Sequence, residues 1–99
     1  MYIAIIVTYY PELDQLVKMT KELLKANVRV VIYDNTPHDS GGKGLSHDNE
    51  GLSDDNESVY IISNGINDGL GAAFNNSITY LKTKEKKIKG VLFFDQDSV

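Results

Sequence analysis

The apolar positions of this chain fall into four short runs. They cover residues 2–8, 28–33, 59–62 and 91–94. Apolar residues dominate each run and do not alternate strictly with polar ones. This pattern is typical of strands buried on both faces, as in the parallel sheet of an α/β protein.

Two longer segments carry apolar residues three or four positions apart, the spacing of one face of an α-helix. The pattern predicts helices over 12–26 and 69–84, with Asn27 suited to close the first helix. A strand, a helix and a strand in so few residues indicate a right-handed βαβ unit with parallel strands. The order β-α-β-loop-β-α-β therefore predicts an α/β fold, a three-layer sandwich around a mainly parallel four-stranded sheet.

Length and composition narrow the class of protein. A chain of 99 residues allows one domain, residues 1–99. Apolar residues make up 41 % and charged residues 24 %, which is ordinary for a soluble globular protein. Cysteine is absent, which excludes a disulfide framework and a thiolate nucleophile. No apolar run is long enough to span a bilayer, and no basic segment precedes the first run, as it would in a signal peptide.

The charge of the chain is concentrated in one segment. The net charge of −4 argues against a nucleic-acid partner, since such proteins need a basic surface. Residues 36–57 hold six acidic and one basic side chain, and their only large apolar residues are Leu45 and Leu52. Residues 44–50 repeat almost unchanged as 51–57. We interpret 36–57 as a mobile acidic loop within the domain, because it offers too little apolar surface to bury.

Polar residues follow every predicted strand, at the edge where open α/β sheets bind ligands. They are Thr8, Tyr9 and Tyr10 after the first strand, Asp34 and Asn35 after the second, 63–68 after the third, and 95–97 after the fourth. Asp95 and Asp97 could bind a sugar hydroxyl and a divalent cation, since Mg²⁺ and Mn²⁺ prefer oxygen ligands shared with phosphates. They could equally form a solvated acidic turn. Asp34 could accept hydrogen bonds from a ribose or a base, or it could cap a turn through its own side chain.

The start of the second predicted helix is rich in small residues. Gly69 and Gly71 match two glycines of a dinucleotide fingerprint, but Phe74 stands at the third position. The segment also follows the third strand rather than the first, which disfavours an NAD site. The small residues at 71–73 allow the helix either to pack closely on the sheet or to approach a ligand.

Four segments carry a combined pattern at the expected strand ends. They read I-V-T-Y-Y at 6–10, V-I-Y-D-N-T at 31–36, N-x-G-x-x-x-A-x-N-x-S at 67–77 and L-F-F-D-Q-D-S at 92–98. Together they resemble the nucleotide-binding half of family 2 inverting glycosyltransferases, which have the GT-A fold. Ser77 replaces the family's usual last glycine. The D-Q-D-S form, with G-L-G-A-A, is most similar to the rhamnosyltransferase branch.

The resemblance implies transfer of a sugar, rhamnose in the most similar branch, from a dTDP- or UDP-sugar to a glycan or lipid-linked acceptor. It implies a Mg²⁺ or Mn²⁺ cofactor and a cytoplasmic location. The lysine cluster at 82–89 suggests contact with the inner face of the cell membrane. The resemblance also implies a role for individual residues. Thr8 and Tyr9 would line the pocket for the base, Asp34 would contact the pyrimidine, and Asn67 and Gly69 would lie near the nucleotide. Asp95 would contact the ribose or the donor sugar, and Asp97 would bind the metal.

The catalytic base and the acceptor site of that family follow the D-x-D strand. The resemblance therefore places the base beyond Val99 and assigns no catalytic residue within residues 1–99. We expect this chain to be a fragment that transfers no sugar alone and self-associates through exposed strand edges.

Two other functions stay open. A nucleotidyltransferase could use a similar sheet, although residues 8–12 lack the base and glycine that hold a triphosphate. In a flavodoxin-like regulatory domain, the strand-end acids would be phospho-acceptors or turn residues.

Overall fold

The computed structural model describes residues 1–37, 59–63, 65–84 and 87–95. They form β1 (Tyr2–Thr8), α1 (Leu13–Lys25), β2 (Val28–Asp34), β3 (Val59–Ser63), α2 (Gly69–Lys84) and β4 (Gly90–Asp95). The bounds of every element lie within one residue of those predicted from the apolar pattern. Most of the predicted acidic loop, with its repeat, lies outside the described residues, and so do Asp97 and Val99.

The four strands form one sheet in the order β3-β2-β1-β4, and every neighbouring pair is parallel. The prediction of an α/β fold is confirmed, with a sheet that is wholly parallel. The register pairs Thr8 with Asp34 and Val7 with Asp95. The carboxyl ends of β1, β2 and β4 therefore lie at one level.

The two helices cover opposite faces of the sheet, because successive strand side chains point to opposite sides. Leu16 of α1 packs on the face formed by Ile6, Val30 and Ile32. Ala73 and Leu81 of α2 pack on the other face, formed by Ile3, Ile5, Val7, Val31 and Tyr33. The three-layer prediction is confirmed. In the part of the chain that the structure describes, no helix is long and apolar enough to cross a membrane.

Helix α1 ends on a left-handed residue. Asn27 has φ of 61°, and its backbone N–H donates to the carbonyl oxygen of Leu24 at 3.0 Å. Asparagine tolerates this conformation better than most residues, and it satisfies a carbonyl left open at the helix end. The predicted closing role of Asn27 is confirmed, and the turn leads directly into β2.

Strand β4 is apolar but only partly covered. Leu92 and Phe93 expose 44 % and 48 % of their surface, on opposite faces. On the α1 side, Phe94 borders an open groove of about 420 Å³ that Met19 and Leu23 also line. A fully apolar strand in a parallel sheet is normally buried on both faces. Its exposure here distinguishes β4 from β1 and β2.

Candidate functional site

The pocket that gathers the predicted residues lies where the strand order reverses. From β1 the chain passes through α1 to β2 on one side, whereas α2 leads from β3 back to β4 on the other. Such a reversal opens a crevice at the carboxyl ends of the strands. It forms a pocket of about 300 Å³ lined by Val7, Thr8, Tyr9, Asn35, Asn67, Gly69, Leu70 and Asp95.

The structure brings most of the predicted site residues together. Those that line the pocket are Thr8, Tyr9, Asn67, Gly69 and Asp95. Asp34 does not line it, and Asp97 lies outside the described residues. The prediction that strand ends would assemble one polar site agrees with this geometry, while the ligand roles of the individual residues stay predictions.

The catalytic base implied by the resemblance has no counterpart in this site. It was expected beyond Val99, and the described residues end at Asp95. Its placement after the D-x-D strand therefore stays a prediction.

Asp34 anchors the strand ends beneath the pocket. It is 2 % exposed, and its Oδ1 accepts hydrogen bonds from the Thr8 hydroxyl at 3.0 Å and the Thr36 hydroxyl at 2.7 Å. The backbone N–H of Thr36 also donates to this oxygen, at 3.2 Å. One carboxylate oxygen thus joins the end of β1 to the end of β2 and to the turn after it.

The same network shapes the loop after β1. The Thr36 hydroxyl accepts the backbone N–H of Tyr10 at 2.6 Å, and Tyr10 has φ of 47°. The rings of Tyr9 and Tyr10 meet edge to face, with centroids 4.6 Å apart. Tyr9 is 46 % exposed and lines the pocket. The loop therefore presents an aromatic ring at the rim of the polar pocket.

Asn35 is a pocket residue to which the sequence reasoning gave no role. It is 4 % exposed, and its backbone N–H donates to the Thr8 carbonyl oxygen at 2.8 Å. Its Nδ2 donates to the carbonyl oxygen of Gly69 at 3.4 Å. Because a carbonyl oxygen only accepts, this bond fixes which way the amide points. In the sequence, the signal that could have identified Asn35 is its position directly after Asp34, the acid that ends the second strand.

The Oδ1 atom of Asn35 is a buried acceptor with no donor among the described residues. Leaving such an atom without a partner costs roughly 1–3 kcal/mol. Since Asn35 lines the pocket, a ligand that brings an N–H or O–H group could remove this cost. The pocket is thus lined by a residue whose buried amide oxygen has no donor among the described residues.

The first turn of α2 forms another wall of the pocket. The side-chain Oδ1 of Asn67 accepts the backbone N–H of Gly69 at 3.1 Å. The Tyr33 hydroxyl donates to Asp68 Oδ2 at 2.7 Å and accepts from Asn76 Nδ2 at 3.0 Å, which ties the helix start to the sheet. Helix N-termini attract anions through their open N–H groups and dipole. No acidic side chain lies in this first turn.

Gly69 and Gly71 provide a matched pair of substitutions. Gly69 has φ of 85°, whereas Gly71 has no such φ and a Cβ there would meet no neighbouring atom. Close packing of the small residues on the sheet is therefore wrong for Gly71, while Ala73 is fully buried. We expect Gly69→Ala to lower the free energy of unfolding by about 1–2 kcal/mol. Gly71→Ala should raise it by about 0.5–1 kcal/mol.

Urea unfolding followed by circular dichroism measures both variants. Effects of the same sign and size would contradict the left-handed conformation of Gly69. Because both substitutions add one methyl group to the same helix turn, each serves as the other's control.

Comparison with known proteins finds similarity to a rhamnosyl transferase. The chain is 38 % identical over 95 residues to the dTDP-rhamnosyl transferase RfbF of Shigella flexneri. The match covers 96 % of this chain and 29 % of that protein, so the chain spans less than a third of its relative's length. No protein-family model matches the chain, and no solved structure matches it significantly. The similarity supports the predicted resemblance to rhamnosyltransferases, and membership of family 2 stays a prediction.

Proposed function

We propose that this chain is the donor-binding part of a glycosyltransferase with the GT-A fold of family 2. It binds a nucleoside-diphosphate sugar, dTDP-rhamnose in preference to a UDP-sugar, for inverting transfer to a glycan or lipid-linked acceptor. The observation that carries the proposal is the pocket at the strand-order reversal, lined by Thr8, Asn67 and Asp95 from three of the motif segments. Similarity to a dTDP-rhamnosyl transferase favours it over nucleotidyl transfer and over a regulatory domain.

The base of the nucleotide binds, in this proposal, between β1 and β2. Thymine and uracil carry an imide N–H, the donor that the buried Oδ1 of Asn35 lacks. The ring of Tyr9 offers a stacking surface at the rim of the pocket. The Asp34 carboxylate supports the site by fixing Thr8, whose hydroxyl donates to it. A direct contact of Asp34 with the base stays a weaker alternative, since this side chain lies beneath the pocket.

The diphosphate and donor sugar bind, in this proposal, between α2 and β4. The N-terminus of α2 faces the diphosphate, and the carboxylate of Asp95 accepts from a ribose or sugar hydroxyl. Both groups are held in place by the sheet. The start of α2 is hydrogen-bonded to Tyr33 of β2, and Asp95 pairs with Val7 of β1. The donor is thus held across the end of β1.

A divalent cation fits this end of the pocket if it shares its ligands with the diphosphate. Within the described ranges, no three His, Cys, Asp or Glu side chains lie close enough to hold a metal by themselves. Mg²⁺ commonly takes only one or two protein carboxylates and completes its shell with substrate phosphates and water. Asp95 offers one such oxygen donor, and Asp97 is the proposed second. Bound Mg²⁺ or Mn²⁺ would stabilise the charge of the departing nucleoside diphosphate.

Calorimetric titration of the chain with dTDP, with and without Mg²⁺ or Mn²⁺, tests the proposal. We expect the cation to strengthen dTDP binding, and Asp97→Ala to weaken the cation-dependent binding about tenfold or more, as loss of a ligand carboxylate does. Asp14→Ala is the matched control, because Asp14 is an exposed acid on α1. It should leave dTDP binding unchanged.

Two outcomes would count against the proposal. Equal dTDP affinity with and without the cation would remove the role given to Asp97. No binding of dTDP or UDP, together with unchanged NMR signals at Thr8, Asn35 and Asp95, would remove the donor site altogether.

A further inference from the structure

Asp68 stands at the position where an acidic side chain usually caps a helix. It directly precedes Gly69, the first residue of α2. An aspartate at this N-cap position normally accepts hydrogen bonds from the backbone N–H groups two and three residues further on, here those of Leu70 and Gly71. In this structure its Oδ2 accepts instead from the Tyr33 hydroxyl at 2.7 Å, and its Oδ1 is buried with no donor among the described residues. The carboxylate therefore does not cap the helix that it precedes.

Tyr33 holds this carboxylate in a fixed place on the sheet. The tyrosine is 1 % exposed and packs in the cluster beneath α2. Its hydroxyl accepts from Asn76 Nδ2 at 3.0 Å and donates its one proton to Asp68. Because the ring is held by the core and the hydroxyl by two partners, the carboxylate of Asp68 has little freedom to turn towards the helix.

This arrangement keeps a negative charge out of the pocket at the carboxyl ends of the strands. Asn67, Gly69 and Leu70 line that pocket, whereas Asp68 does not. The first turn of α2 holds no acidic side chain of its own. The pocket is also lined by Asn35, whose buried amide oxygen has no donor among the described residues. A buried polar atom without a partner is one sign of a place that a bound molecule completes.

We propose that Tyr33 is a positioning residue for the nucleotide donor. By binding the Asp68 carboxylate, it leaves the N–H groups of Leu70 and Gly71 open to the diphosphate. A carboxylate on those groups would occupy the donors and repel the phosphates, since both carry negative charge. Phosphates bind helix N-termini through such open N–H groups. This inference rests on the proposed function and adds to it a residue that acts through Asp68 rather than on the donor itself.

A purely structural role of the same hydrogen bond predicts a different behaviour of Asp68. If the bond served only to fasten α2 to the sheet, losing either partner would loosen the helix start and weaken donor binding. If Tyr33 withholds the carboxylate, loss of its hydroxyl weakens donor binding only while the carboxylate is present. The two roles therefore differ in the effect of Asp68→Ala and of its combination with Tyr33→Phe.

NMR titration with dTDP and with thymidine, both in the presence of Mg²⁺, tests the role of Tyr33. Tyr33→Phe removes only the hydroxyl. We expect it to weaken dTDP binding about tenfold, the size of one helix-cap interaction, and to change thymidine binding less than about twofold because thymidine has no phosphate. Tyr80→Phe is the matched control, since Tyr80 is a half-buried tyrosine of α2 whose ring contacts Tyr60. It should change neither affinity.

Asp68→Ala and the double variant decide between the two roles. We expect Asp68→Ala to bind dTDP at least as tightly as the wild type, and Tyr33→Phe combined with Asp68→Ala to bind it like Asp68→Ala alone. Weaker binding by Asp68→Ala, or a double variant as weak as Tyr33→Phe, would overturn the proposal. Asp68→Ala keeps the Tyr33 side chain in the core, so it gives this test even if Tyr33→Phe does not fold.

The same titrations separate this inference from the proposed function. A wild type that binds neither dTDP nor thymidine would overturn both. A wild type that binds dTDP, with Tyr33→Phe folded and unchanged in its affinity, would overturn the positioning role of Tyr33 alone and leave the donor pocket in place.

Discussion

Replacing Asp34 by alanine is expected to lower the free energy of unfolding by about 2–4 kcal/mol. The substitution removes the acceptor of three donors, the hydroxyls of Thr8 and Thr36 and the backbone N–H of Thr36. Asp34 is 2 % exposed, so water has little access to replace it. Urea unfolding monitored by far-ultraviolet circular dichroism measures the loss.

Asp34→Asn separates the shape of the side chain from its charge. Asparagine keeps one oxygen at the same distance from the backbone, so we expect about half of the loss seen with alanine. Asp14→Ala, at an exposed position on α1, should change the stability by less than about 0.5 kcal/mol. If Asp34→Ala were as mild as Asp14→Ala, the hydrogen bonds to Asp34 would contribute nothing to the fold.

Replacing Ile5 by alanine is expected to cost about 3–4 kcal/mol. Ile5 is fully buried at the centre of β1, which pairs with a strand on each side, and it packs in the cluster beneath α2. The substitution removes three carbon atoms and leaves a cavity that a sheet paired on both sides can hardly close. For a domain with roughly 5–15 kcal/mol of total stability, this loss would populate the unfolded state appreciably.

A graded series separates packing from other effects of the change. Ile5→Val should cost about 0.5–1.5 kcal/mol, between the wild type and alanine. Ile66→Ala removes the same atoms from a side chain that is 59 % exposed, and should cost less than about 0.5 kcal/mol. Equal losses at Ile5 and Ile66 in urea unfolding would show that Ile5 is not in the core.

The strands and helices could be predicted from the sequence because β1 and β2 are buried on both faces. Runs of β-branched residues then predict strands, and the helical spacing of the apolar residues around Leu16 and around Leu81 predicts helices. The place of the pocket also followed, since parallel strands end at one edge and ligands bind there.

The orientation of individual side chains did not follow from the sequence. Asp34 could have pointed into the pocket, but the register sets it beside Thr8, and the turn brings the Thr36 hydroxyl to the same oxygen. The carboxylate is therefore held beneath the pocket, and the neighbouring Asn35 lines it instead. Such choices depend on hydrogen-bond partners from distant parts of the chain, which periodicity does not reveal.

The pairing of β1 with β4 makes the first and last described strands neighbours. Contacts so far apart in sequence require closure of a long loop, and they generally form late in folding. The β1-α1-β2 unit contains only local contacts and can form early, whereas β4 pairs with β1 only after α2 has packed on the sheet. Among the described strands, β4 lies at an edge of the sheet, so it is also expected to open before β1 and β2 in hydrogen exchange. Because Asp95 belongs to β4, local opening of this strand would dismantle the proposed donor pocket while the rest of the fold stays intact.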